Sequence, residues 1–130
     1  MGYYIEQKDT TFQINEDQFD AALAALKTLI LTKPMLSWVK GDEVLNAKTL
    51  SDALTACRWT PYMDGKGNIT HIEFTCEKLG NDEEIFGAIA PFVKSGSFIE
   101  MERSDGYRWK WVFKRKKLRE LSGRIVYGEA

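Results

Sequence analysis

The sequence predicts an α+β fold: an antiparallel-dominated sheet with helices packed on one face. Three observations carry this expectation. Residues 97–113, SFIEMERSDGYRWKWVF, alternate apolar and polar side chains on both sides of a Ser-Asp-Gly turn, the period of a half-buried β-hairpin. Three further stretches, near residues 16–32, 47–57 and 83–94, repeat apolar residues at three- and four-residue steps, the stripe of a helix lying on a core. The elements then follow in the order β-α-α-β-β-α-β-β-β. Without the second helix and the last two strands this is βαββαβ, so a ferredoxin-like core is expected. A chain of 130 residues reads as a single domain, 1–130, large enough to fold without disulfides or metal.

Residues 3–7 read as a short strand and 11–14 as a second strand or its continuation, with a bend at Asp9-Thr10. Tyr3, Ile5, Phe12 and Ile14 alternate there with polar residues. Asn15 is a helix N-cap and Gln18 completes a capping box, with Glu16 and Asp17 in the first turn where the helix dipole favours acids. The first helix runs to about Thr32 on a stripe of Phe19, Ala22, Leu23, Leu26, Leu29 and Ile30, and Lys33-Pro34 ends it. Residues 35–46 have no clean period. They read as a connector around a turn at Lys40-Gly41-Asp42, with Trp38 tucked beneath it into the core.

Asn46 caps a second helix, 47–57, that turns Leu50, Ala53, Leu54 and Cys57 inward. Residues 58–63 are extended, and Pro61 marks an edge or a strand start. The glycine-rich run 64–68 is a hairpin loop leading to a strand over 69–77. In that strand Ile72, Phe74 and Cys76 share one face, and Ile69, His71, Glu73 and Thr75 the other. Asn81 or Asp82 caps a third helix, 83–94, with Ile85, Phe86, Ile89 and Val93 inward. Pro91 lies inside it, so the helix kinks there or its last turn is irregular.

The principal hairpin follows Ser95-Gly96. A two-residue loop at Asp105-Gly106 would set Arg103 opposite Arg108 and Met101 opposite Lys110, and like charges opposite one another are unfavourable. A three-residue loop, with Gly106 left-handed, sets Glu102 opposite Arg108, Glu100 opposite Lys110, Met101 opposite Trp109 and Ile99 opposite Trp111. The second register satisfies every pair. It places Ile99, Met101, Tyr107, Trp109, Trp111 and Phe113 on the core face, and leaves Glu100, Glu102, Arg108 and Lys110 wet. Trp109 and Trp111 are expected under the helices rather than open as a platform for stacking bases. Residues 114–119 then link to a final strand, 121–127, with Ile125 and Tyr127 on one side and Arg124 and Val126 on the other.

The net charge of −1 is unevenly placed. Residues 1–93 hold 8 Lys/Arg against 14 Asp/Glu, a net of −6, and residues 94–130 hold 10 against 5, a net of +5. An acidic body with a basic C-terminal third offers partners a surface of two signs. The two cysteines, Cys57 and Cys76, have the spacing of neither a zinc knuckle nor a redox pair, and read as reduced, buried thiols of a cytoplasmic protein. The start MGYYIEQKDTTF lacks a basic region followed by an apolar run, so no signal peptide is expected. No apolar run is long enough to span a membrane.

Little in the sequence points to catalysis. His71 is the only histidine, and a proton shuttle needs partners arranged around it. No HExxH, CxxC or GxSxG motif is present, and neither a metal nor another cofactor is expected. Gly65-Lys66-Gly67 joins two strands rather than feeding a helix, so it reads as a turn and not a phosphate loop. Glu83-Glu84 are partners of a helix dipole. The densest charge run is Lys114-Arg115-Lys116-Lys117 with Arg119. It reads either as a solvated connector or as a contact for phosphates or an acidic protein surface, with Arg108, Lys110 and Arg124 extending it on the side of the sheet away from the helices.

Residues 82–113, DEEIFGAIAPFVKSGSFIEMERSDGYRWKWVF, resemble a pattern found in small uncharacterised proteins of phages and other bacterial mobile elements. The opening GYYIEQKDTTFQIN, followed by an alanine-rich helix, is similar to the start of such proteins. The resemblance rests on packing residues. It implies a protein of the host-cell cytoplasm and assigns neither an activity nor a site, and the run 114–117 lies outside it. The expectation is a non-catalytic protein that binds a host macromolecule, a component of a defence system in the manner of an anti-defence or anti-CRISPR inhibitor. The alternative is a nucleic-acid-binding module using the basic C-terminal third, against which a pI near 5.9 argues for duplex targets. A final edge strand would either pair with a second copy in a dimer or be protected by Arg124.

Overall fold

Alternation with period two and stripes with period 3.6 become, in the computed structural model, six strands and four α-helices among the described residues, 4–36, 39–76 and 80–124. They are β1 (Ile5–Thr11), α1 (Phe19–Thr32), α2 (Gly41–Leu45), α3 (Leu50–Ala56), β2 (Trp59–Met63), β3 (Ile69–Phe74), α4 (Asp82–Ile89), β4 (Phe98–Arg103), β5 (Tyr107–Lys114) and β6 (Lys117–Arg124). The class is α+β, and every strand pair is antiparallel. Tyr3, Trp38, Glu77 and residues 125–127 lie outside the described residues.

The strands form two sheets, one in the order β1-β4-β5-β6 and the other the hairpin β2-β3. This is not the strand order of a ferredoxin-like core, in which all the strands of βαββαβ share one sheet. Where β1 approaches β3, a side chain takes the place of a ladder. Gln7 Nε2 donates to Ile72 O at 2.8 Å, and the Phe74 amide donates to Gln7 Oε1 at 2.6 Å. Farther along, Ile14 and Ile69 exchange two backbone hydrogen bonds of 2.9 Å in one antiparallel bridge.

The β4–β5 hairpin has the expected register: Ile99 faces Trp111, Glu100 faces Lys110, Met101 faces Trp109 and Glu102 faces Arg108. Gly106, at φ +92°, closes the three-residue turn with its N–H on Arg103 O at 2.8 Å, a conformation that costs glycine nothing sterically. Ile99, Met101, Trp111 and Phe113 are buried, Trp109 is 7% exposed, and Tyr107 is half-buried. Trp111 and Phe113 meet Phe86 of α4 at centroid distances of 5.2 and 5.8 Å, so the helices do cover the tryptophan face. The opposite face is drier than expected. Glu100, Glu102, Arg108 and Lys110 are half-buried because they lie across one another in lateral ion pairs and ring contacts.

Several boundaries differ from the sequence expectation. β1 continues through the expected bend as one strand, with a bulge between Gln7 and Thr10, but it ends at Thr11 and Ile14 keeps only an isolated bridge to Ile69. Asn15 makes no capping bond. Its side chain accepts from Gln13 Nε2, and a 3-10 turn, Glu16–Gln18, precedes α1. The expected turn at residues 40–42 is instead the start of α2, which buries Val44. A Cβ on Gly41 would stand 3.1 Å from Ile30 Cγ2, so glycine lets α2 close on α1. Asn46 closes α2 by donating to Asp42 O, and α3 is capped by Thr49, whose hydroxyl accepts from the Asp52 amide at 3.1 Å. In β3 an extra residue, Thr70, separates the pairs Met63–Ile69 and Tyr62–His71. Ile69 and Ile72, expected on opposite faces, are therefore both buried. α4 ends at Ile89 and Pro91 sits in a 3-10 turn, Ala90–Phe92, the irregular last turn that proline predicts. Cys57 is buried and Cys76 is exposed, so only one thiol is a core residue.

Candidate functional site

Lys114 through Lys117 are not a connector but the tip of a second hairpin, and β6 begins at Lys117. Arg115 and Lys116 are the two loop residues, both left-handed at φ +52° and +65°. Two-residue hairpins favour this mirror-image turn because its twist matches the strands, and they normally fill it with Asn-Gly. Lys114 and Lys117 face each other directly, a like-charge pair. The tip therefore runs against backbone preference and electrostatics together. Local conflicts of this kind concentrate at functional sites.

The register sorts the expected cations by face. Lys117, Arg119 and Leu121 pair with Lys114, Val112 and Lys110, all on the side of the sheet away from the helices. Leu118 and Glu120 alternate inward. Leu118 packs against the core, and Glu120 Oε1 accepts from Trp111 Nε1 at 3.2 Å. Lys110, Lys114, Lys117 and Arg119 thus share one uncovered corner of the outer face, with Arg115 and Lys116 at its rim. Lys114 to Lys117 and Arg119 are exposed, and none forms an ion pair with another described residue. Lys110 is partly engaged, its ammonium 4.7 Å from the Phe98 ring centroid.

Two expected members stand apart from this corner. Arg108 donates through Nε to Glu102 at 2.9 Å and lies 3.9 Å from Glu100. Lys8 joins the same network at 3.3 Å from Glu102 and 3.2 Å from Glu6. The Arg108 hydrogen bond is the largest influence holding the Glu102 carboxyl below its ordinary range, and the Glu6 hydrogen bond is the largest holding the Lys8 ammonium above its own. Arg108 is thus part of a neutralised patch rather than of the basic corner. Arg124 pairs with Tyr107 seven residues beyond Lys117, roughly 23 Å along the strand.

The register also shows what the sequence reading missed. Phe98, Val112 and Leu121 supply apolar surface within the basic corner, and Leu121 is 57% exposed. An open groove is lined by Glu83, Glu84 and Trp111 together with Lys116, Lys117 and Glu120. Glu84 is also bound to Lys33 at 2.9 Å. Beginning β6 at Lys117 would have exposed the whole alternation, but Arg-Lys does not read as a two-residue turn.

The remaining motifs have structural settings. The His71 ring lies 5.8 Å from that of Tyr62, and no group of three His, Cys, Asp or Glu among the described residues is placed to hold a metal. In the loop 64–68, Asp64 Oδ1 accepts from the amides of Lys66 and Asn68 at 2.8 and 3.0 Å, the bonding of a side-chain-closed turn. Asp82, at the start of α4 and 2% exposed, accepts from Trp59 Nε1 at 2.8 Å, the Gly80 amide at 3.0 Å and Arg58 Nη2 at 3.3 Å. Burial, reinforced by the Asp82 charge, pushes the neighbouring Cys57 thiol up to about 12, so it is not a reactive nucleophile. No helix among the described residues is long and apolar enough to cross a membrane. No family model, curated protein or solved structure matches this chain, so what it does is read from its own geometry.

Proposed function

We propose that this chain is a non-catalytic binding protein that acts in the host-cell cytoplasm on a host macromolecule, a protein component of a defence system, in the manner of an anti-defence or anti-CRISPR inhibitor. The observation that carries the binding role is the β5–β6 tip: exposed cations without ion-pair partners among the described residues, held in a strained two-residue turn beside an uncovered sheet corner. The resemblance of residues 82–113 to proteins of phages and mobile elements supplies the host setting.

Charge favours a protein target over a duplex. The body of residues 1–93 carries a net of −6, and Glu83, Glu84 and Glu120 line the same open groove as Lys116 and Lys117. A phosphate backbone approaching the tip would meet these carboxylates, whereas a compact acidic patch can seat on the outer corner alone. The second reading, a nucleic-acid-binding module, draws on the Phe98 ring beside Lys110, Lys114, Lys117 and Arg119, a combination that suits a single strand.

Affinity capture from host lysate, with and without nuclease, tests the proposal. A stoichiometric protein partner that survives nuclease, and is lost when Lys114, Arg115 and Lys117 are changed to Glu, is the expected result. Recovery of nucleic acid with no such partner would replace it with the second reading, and a mobility-shift titration would confirm the exchange.

A further inference from the structure

The two edges of the four-stranded sheet are not equivalent. At the β1 edge, Gln7 and the Ile14–Ile69 bridge engage the neighbouring hairpin. β6, at the other end of the order β1-β4-β5-β6, has no strand beyond it among the described residues. It is eight residues long, roughly 26 Å of unpaired edge. Such an edge is a template for another strand, and proteins commonly guard it with cations. Here the guards are Lys117 and Arg119, both on the outer face and both without an ion pair among the described residues, followed at the same spacing by the exposed Leu121. A guard of one sign is selective: it opposes cationic strands and admits acidic ones.

We propose that the β6 edge takes an extended acidic segment of the protein partner as a fifth, antiparallel strand. This rests on the tip being a protein-binding surface and specifies how the partner is held. Backbone hydrogen bonds supply the affinity, and alternate side chains supply the selection. Opposite Leu121, Arg119 and Lys117 the added strand carries, in its own chain direction, an apolar residue, an acid and an acid, each two positions apart. Opposite Leu118, on the inner side, it carries an apolar residue that extends the core beside Phe113. The cross-strand pairs at these four positions are then complementary.

The test uses the full chain and four probes: a seven-residue peptide with Glu at the two acidic positions and Val at the apolar ones, its Lys-for-Glu counterpart, the Glu peptide with alternate backbone amides N-methylated, and an oligothymidylate of similar length. Amide chemical shifts of the labelled protein are followed during titration. The Glu peptide is expected to shift amides in residues 117–124, to bind at least tenfold more tightly than either modified peptide, and to lose at least tenfold with R119E. Equal binding by the Glu and N-methylated peptides would overturn strand addition while leaving the charged protein-binding surface intact. Tighter binding of the oligothymidylate at the same amides would overturn both. Concentration-dependent loss of β6 signals without any probe would assign the edge to a second copy of the chain and overturn the partner-strand proposal.

Discussion

Trp59 makes two unlike contacts that fix the floor of the core. Its ring meets Phe86 at 4.8 Å and Trp111 at 6.1 Å, both edge to face, while its Nε1–H reaches the buried Asp82 carboxylate at 2.8 Å. A buried carboxylate is tolerable only when its acceptors are filled, and Asp82 has Trp59, Gly80 and Arg58 for this. Asp82→Ala removes the shared acceptor from all three donors and is expected to lower stability by about 3 kcal/mol in urea denaturation. Trp59→Phe keeps most of the packing, loses one charged hydrogen bond, and should cost about 2 kcal/mol. Beside this cluster, Cys57 gives a pH dependence. Its thiol rises from 9.0 to about 12, chiefly through burial, so the folded state favours the neutral form. That contribution is complete below pH 9 and is lost as pH rises toward 12. Wild-type stability should therefore fall more steeply over this range than that of Cys57→Ala. At pH 8 a thiol reagent should titrate one cysteine, Cys76, in the native protein and both after denaturation.

The two hairpins of the large sheet separate what local sequence specifies from what it conceals. In β4–β5, four cross-strand pairs and a glycine at the left-handed position agree on one register, so the hairpin is legible from residues 97–113 alone. In β5–β6 the turn is Arg-Lys, which carries no turn signal, and the start of β6 is legible only once its backbone is seen. The cations of the candidate corner stand plainly in the sequence, but their division between faces depends on that hidden turn. Arg115→Asn combined with Lys116→Gly should supply the residues this turn prefers and raise stability by about 1 kcal/mol, while weakening partner capture. Parallel thermal denaturation and capture would show both. The seam between the sheets was hidden for another reason: Gln7 meets Ile72 and Phe74 across more than sixty residues, and no local pattern announces such a bond. Gln7→Ala breaks three partly buried hydrogen bonds, two of them across the seam and one to Thr10, and should cost about 2 kcal/mol. Hydrogen exchange should speed up in β2–β3 and remain slow in β4–β5.

At the scale of the whole molecule, the −6 of residues 1–93 and the +5 of residues 94–130 are partly reconciled within the sheet, where Lys8, Glu100, Glu102 and Arg108 neutralise one another. What stays uncompensated is the corner around the β5–β6 tip. These cations repel one another and hold no ion pair among the described residues, so folding gains little from them. Changing Lys114, Arg115 and Lys117 to Glu should therefore leave denaturation within about 0.5 kcal/mol of wild type. Any loss of binding by that variant reports on the surface and not on the fold. Charges at the rim of an interface act mainly on encounter, through a field that extends about 8 Å at physiological salt and about 3 Å at 1 M. With an acidic partner, the association rate constant of wild type should fall at least tenfold between low and high salt, with the dissociation rate changing far less. The triple variant should associate slowly at every salt concentration. The same variant should lose any salt-sensitive retention on heparin, an anionic matrix that needs only charge. A wild-type protein that passes through heparin unretained at low salt would show that the corner presents too weak a field to steer any partner.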